Sequence, residues 1–521
     1  MSRKIAIIFL FLVALSVLLT SCSGGAQSTV STTTGAPAPL DIEPMGDADG
    51  DGDADEDDYT LFSAYLAREA TEMHYEFCDI NGDFRVDGSD AELLRAYLDG
   101  ERIEILGGVF SREYADVTNE LEDLGINNKL FWNDSKEEYI ISRNPYDMIT
   151  SGGVVMVSGG NYQDNTGPVN INGYKRSRMG PINMGSLQTE QVNRFYDCGE
   201  YIVALAIDSR YWQCGDVYLK PSSTNKWVSQ SQVLVDNIHC YDMIYFDGIY
   251  FFCGSNDVYK NIEGERIELS KSSIYAVEGS LSDKMTKNDF RELEVINKHG
   301  EVIDFESVLT YQVINGQKYY YTMGVPRFYE FFEFGGRLYA FYYNQYSERY
   351  PDEYDFNGLY VYDPEEKRFV YDESLNCDPL YKIFSGSAQD LEKIQHDFAW
   401  GDRYYFINAG LYSTGDFLDY REDKLAGYED YITRDVIFRG DKAYVLAGKA
   451  SEDGGFINVV LETADFESFR AILSFESILF ARSFEFCNGE FYFGLGYSSG
   501  SGLDAESIKN CGQIYRYSYY D

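Results

Sequence analysis

The chain has 521 residues, 44% apolar and 16% aromatic, enough for about three ordinary domains or one large β domain with appendages; this composition excludes wholesale disorder. It carries 43 Lys and Arg against 86 Asp and Glu, a formal net charge of −43, and so acidic a surface repels phosphate backbones and excludes nucleic acid as a partner. The four histidines, His74, His239, His299 and His396, form no HExxH, and neither CxxC nor GxxxxGK[ST] occurs.

Residues 1–22 open with Arg3 and Lys4, run apolar from Ile5 to Leu19 and end in Leu19-Thr20-Ser21-Cys22. This is an export signal, and its apolar run is short for a membrane-spanning helix of about 20 residues. The last four residues resemble a bacterial lipobox. That resemblance implies lipidation of Cys22 and an extracytoplasmic, membrane-anchored protein, at the cell surface or on a periplasmic face; an ordinary secretory signal or an uncleaved anchor is the alternative. Residues 23–44, rich in Gly, Ser, Thr, Ala and Pro, form a flexible linker. Eight further cysteines permit disulfides in an exported chain, or serve as small buried hydrophobes, and no pairing follows from their spacing.

The segment 45–102 contains one motif twice, DADGDGDADEDD at 47–58 and DINGDFRVDGSD at 79–90. On a twelve-residue calcium loop, side-chain ligands fall at Asp47, Asp49, Asp51, Asp55 and Asp58, and at Asp79, Asn81, Asp83, Asp87 and Asp90. Asp53 and Arg85 occupy the position that gives a backbone carbonyl. Calcium takes six to eight hard oxygen ligands, and a tight loop turns alternate positions inward, so the pattern predicts two bound Ca²⁺ ions. Position 6 is Gly52 in the first loop but Phe84 in the second, where a left-handed backbone costs about 1 kcal/mol without glycine. A helix follows each loop, with Leu61/Leu93, Tyr65/Tyr97 and Leu66/Leu98 repeating on one face at an offset of 32 residues.

Two loops, Asp at position 12 and a Leu-x-x-x-Tyr-Leu tail in both copies resemble a type I dockerin, a small EF-hand-like module of cellulosomes. The resemblance implies calcium-dependent binding to the cohesin domain of a scaffold protein. It also implies that partner choice lies with Glu56, Asp57, Ser63, Ala64 and Arg68 in the first repeat, and with Gly88, Ser89, Arg95 and Ala96 in the second. The copies differ at these positions, which puts two-way docking in doubt.

Residues 103–145 read as a connector, with a predicted helix over 111–124 (SREYADVTNELEDL) and a closing strand near 130–142. From 146 to 521 the text is β-rich. An apolar run, a turn with Gly and an aromatic strand recur around Gly153, Gly199, Gly248, Gly336, Gly401, Gly440 and Gly489, at spacings of 46, 49, 88, 65, 39 and 49. Such a period suits four-stranded propeller blades. The expected fold is therefore mostly β: a propeller of about seven blades after a small α-helical calcium-binding module, with room for an eighth blade around 291–321 and a β-sandwich pair or β-helix as the alternative. This part looks like the kelch or sialidase-like class of propeller. It lacks that class's catalytic marks, since Ser222–Trp227 has neither the Asp nor the Gly of an Asp box and no arginine triad is identifiable. Acidic pairs such as Asp352-Glu353 and Glu365-Glu366 read as solvated surface.

Two functions are compatible with this reading. One is a lipid-anchored protein that docks to a scaffold and presents its propeller to a glycan or protein in a polysaccharide-degrading system. The other is a propeller glycoside hydrolase or polysaccharide lyase of the same system. The side chains lining the propeller axis discriminate between them.

Overall fold

The structure is a computed structural model that describes residues 46–99 and 114–518, apart from internal stretches that include 51–53, 81–85, 208–216, 345–355, 386–395 and 497–509. The expected signal segment with Cys22, the expected linker and residues 100–113 lie outside the described residues.

Helices α1 (Glu56–Leu66) and α2 (Gly88–Leu98) repeat at the 32-residue offset. Each starts in a capping box. Asp55 and Asp87 accept the N–H of Asp57 and Ser89, and Asp58 and Asp90 reach back to the cap N–H. After α1 the chain turns through Arg68 at φ 63°. The residues buried completely between the helices are Phe62 and Leu94, again 32 apart, each 0% exposed. The face expected from the sequence flanks this contact: Leu61, Tyr65, Leu66, Leu93 and Leu98 pack at its border, and Tyr97 is 43% exposed.

The remainder is a seven-bladed β-propeller. The inner strands are Met148–Ser151, Gln191–Asp197, His239–Phe246, Arg327–Phe334, His396–Trp400, Ile432–Arg439 and Ala481–Cys487, and three further antiparallel strands extend each into a blade. The predicted repeats coincide with the seven inner hairpins. Their described turn glycines, at 153, 199, 248, 336 and 401, all have positive φ, as such tight turns require; 440 and 489 lie outside the described residues. Inner and second strands read as continuous apolar runs because neighbouring blades cover both faces; every residue of Ala481–Cys487 and Glu490–Leu495 is buried. Among the described residues the apolar side chains gather in seven clusters, one at each blade–blade interface, the one between blades six and seven also taking in the buried residues of the helix pair.

Three expectations are corrected here. The described part of the predicted helix, residues 114–124, is not helical: Ala115–Asp116 pairs in parallel with the outer strand of blade six, and Glu122–Ile126 is the outer strand of blade seven; residues 111–113 lie outside the described residues. The ring thus closes on an N-terminal strand, as expected, but at 122–126 rather than 130–142; Phe131–Asn133 and Glu138–Ile140 form a separate hairpin. Gln513 Nε2 and Arg516 Nε bind Asp123 and Glu122 at 2.8 and 2.9 Å across that closure. No eighth blade fills the 88-residue interval. Among the described residues it holds the outer halves of two 14-residue strands, Ile249–Ile262 and Glu265–Glu278, and the exposed hairpin Val308–Ile314/Gln317–Met323.

Candidate functional site

In the first loop, carboxylate oxygens of Asp47, Asp49 and Asp58 all lie within 4.8 Å of one another. Asp47 is 0% exposed and Asp58 1%. Backbone donors hold the cluster: Asp58 accepts from Ala48 (2.7 Å), Asp49 (3.0 Å) and Asp55 (2.6 Å), and Asp47 accepts from Gly50 (2.6 Å). Asp58 therefore ties the start of the loop to the first turn of α1. Three carboxylates this close repel one another strongly at the modest dielectric of a partly buried site, and a hard divalent cation relieves that repulsion. The donors, all oxygen, fit calcium.

Asp55 is not one of the three converging acids and caps α1, accepting Asp57 N–H at 2.7 Å; Asp51 and Asp53 lie outside the described residues. In the second loop Asp79, Asn81, Asp83, Phe84 and Arg85 also lie outside them. Asp87 and Asp90 are described and repeat the roles of Asp55 and Asp58: Asp87 accepts from Ser89 N at 2.8 Å, and Asp90, 0% exposed, accepts from Asp87 N at 2.9 Å. Of the residues expected to choose the partner, Glu56, Asp57, Arg68, Gly88 and Ser89 are exposed, and Ser63, Ala64, Arg95 and Ala96 are half-buried.

The propeller axis carries a second constellation, which the sequence reading missed. Near the start of each inner strand, immediately before an apolar residue, stand Asp147, Arg194, Asp242, Glu330, Asp397, Asp435 and Ser483, all buried. A β-bulge precedes this position in five blades and turns the side chain toward the neighbouring blade. Asp147 accepts Phe195 N–H at 2.7 Å, Asp242 accepts Phe331 N–H at 2.7 Å, and Asp435 accepts Phe484 N–H at 2.8 Å, so each acid latches the next blade. Arg194 spans three blades, with Nη1 2.7 Å from Asp242 Oδ1 and the guanidinium 2.6 and 2.7 Å from the two oxygens of Glu330. Tyr196 Oη donates to Asp242 at 2.6 Å, and Tyr404 Oη donates to Asp397 at 2.5 Å. The signal lay in the repeated phrase itself: its residue before the apolar pair is acidic in five copies of seven.

Burial pushes Asp397 up to about 7, and nearby Asp242 adds to the rise. Burial also raises Glu330, against the pull of Arg194. Burial works against the charge on Arg194, but Glu330, Tyr196 and Asp242 more than restore it, so the guanidinium stays protonated. Acids do converge on the axis, and their oxygens bind backbone amides, a guanidinium and tyrosine hydroxyls: a network that locks blades together.

The surface assignments hold where the residues are described. Glu365 and Glu366 are exposed and donate their N–H groups to Asp363 in a turn, and Trp227 of the near-match to an Asp box is buried. Cys78, Cys198, Cys240, Cys253, Cys377, Cys487 and Cys511 are free thiols. Among the described residues no helix is long and apolar enough to cross a membrane.

Residues 45–99 match the family model of the Dockerin type I domain. The chain is thus a dockerin module followed by a seven-bladed propeller. None of the curated proteins matches it. Similar solved structures include Sqt1 of Saccharomyces cerevisiae (10% identity, TM-score 0.31, covering 72% of this chain and 96% of that one). Others are BamB of Moraxella catarrhalis (11%, 0.28, 71% and 83%) and the GH32 β-fructofuranosidase BmSUC1 of Bombyx mori (12%, 0.28, 72% and 88%). Likeness this distant has no bearing on activity.

Proposed function

We propose that this is an extracytoplasmic, lipid-anchored protein whose dockerin module binds the cohesin domain of a scaffold protein when loaded with two Ca²⁺ ions, and whose propeller is the cargo held there. The observation that carries the reading is the convergence of Asp47, Asp49 and Asp58, with Asp58 hydrogen-bonded to both loop and helix, because it makes calcium the condition for fixing α1. Asp87 and Asp90 would serve the second ion with Asp79, Asn81 and Asp83. Calcium supplies the positive charge that the loop lacks; the chain's own residues bind it, cap the helices and orient the exposed recognition residues. A groove of about 630 Å³ between blades three and four, lined by Phe246, Tyr362 and Tyr371 with Arg337, Asp363 and Asp372, offers the mixture of rings and polar groups that suits a glycan.

The full chain is expected to bind a cohesin from its own organism in calcium and to release it in chelator. Asp58→Ala should abolish binding and lower calcium affinity by about tenfold or more, since it removes a ligand and a cap together. Titration calorimetry on the variant checks this; unchanged calcium binding would sink the ligand assignment. Cys22→Ser should move the protein from the membrane fraction to the soluble fraction, read by fractionation and immunoblot. Retention at the parental level rules out the lipid anchor.

A further inference from the structure

The repeats correspond position by position, so their helix pair offers a partner two faces that would be interchangeable if their residues matched. They do not match. Arg95 reaches from α2 to the start of α1, where Nη1 donates to both oxygens of Glu56 at 2.8 Å and Nη2 donates to Asp99 at 2.9 Å. The same guanidinium stands 5.1 Å from the centre of the Tyr59 ring. At the 32-residue offset the counterpart of Arg95 is Ser63 and that of Glu56 is Gly88, a pair with no means of bridging the helices. A methyl group added at Gly88 meets nothing within 4 Å.

We propose that the clamp of Arg95 on Glu56 and Tyr59 closes the first-repeat face, so that the module docks in a single orientation with Gly88 and Ser89 against the cohesin. The inference rests on the docking role proposed above and adds the face that performs it. A partner seated over Glu56 must draw its carboxylate away from Arg95, or cover the pair and leave its outer polar atoms unmatched; both oppose binding. The first face also carries Asp57 beside Glu56, whereas the equivalent positions of the second are the uncharged Gly88 and Ser89. Glu56 is exposed and Arg95 half-buried, so the clamp lies at the surface, contributes little to folding and can be removed without unfolding the module.

The test uses the full-length, calcium-loaded protein and the cohesin domains of its own organism. Gly88→Glu places a carboxylate in open space at a helix N-terminus, which the fold tolerates, and should weaken binding by about tenfold or more. Asp57→Lys should change affinity by less than about threefold. Adding Arg95→Ser and Glu56→Gly to Gly88→Glu should restore binding, because the opened first face then takes over. Calcium affinity and helix content of every variant report whether it is folded. Binding that survives Gly88→Glu and is lost in Asp57→Lys overturns the orientation, and failure of the rescue overturns the clamp as its cause. A wild-type protein that binds no cohesin overturns the docking role and this inference together, an outcome distinct from reversed variants.

Discussion

Arg194→Met is expected to destabilise the propeller by about 3 to 5 kcal/mol, the range for removing one partner from a buried ion pair. Arg194 is 1% exposed, and its guanidinium is shared between Asp242 of blade three and Glu330 of blade four. Without it, two carboxylates stay buried with no neutralising charge and must take up protons or water. The loss belongs to the unpaired acids rather than to a missing attraction, and that distinction is testable. Adding Asp242→Asn and Glu330→Gln should recover most of the stability, because the amide oxygen introduced by the first of these can still accept Phe331 N–H. Urea midpoints of the single and triple variants, compared at constant slope, decide the matter. A single variant as stable as the parent would show that the three-blade clamp contributes nothing.

Asp397→Asn is expected to stabilise the protein, by an amount that grows with pH. Burial holds the folded-state carboxyl at about 7, against about 3.9 for an unperturbed aspartate. Between these values the folded state retains a proton that the unfolded state has released. Stability from this group is therefore greatest below about pH 4 and falls as pH rises toward 7, by about 1.4 kcal/mol per unit, with no further loss above. The full span is about 4 kcal/mol. Asp242, Glu330, Arg194 and Tyr404 surround the group. An amide cannot ionise, yet its oxygen still accepts the Tyr404 hydroxyl. The variant should match the parent near pH 4 and exceed it increasingly up to pH 7. Chemical denaturation at pH 4, 5.5, 7 and 8 measures the difference, and a difference that does not change with pH refutes the raised pKa.

What could be read from the sequence was what repeats. Two acidic loops 32 residues apart, with Asp at both caps and at both third helical positions, encode their turns and capping boxes locally, because each bond joins residues within a few positions. The glycine turns marked the seven inner hairpins for the same reason, since a tight reversal favours positive φ whatever surrounds it, as the five described glycines have.

Tertiary pairing decided the rest. Residues 111–124 have a serine cap and good helix formers, yet the free edges of blades six and seven draw Ala115–Asp116 and Glu122–Ile126 into strands, where hydrogen bonds to distant partners outweigh a local preference of a few tenths of a kcal/mol per residue. Phe62 and Leu94, rather than Leu61 and Leu93, meet between the helices because the angle at which two helices pack is not written in either alone. The axial acids were visible as letters in the repeated phrase. Their latching role was not, because Asp147 binds Phe195, Asp242 binds Phe331 and Asp435 binds Phe484, partners about 50 to 90 residues away that only closure of the ring brings within 3 Å.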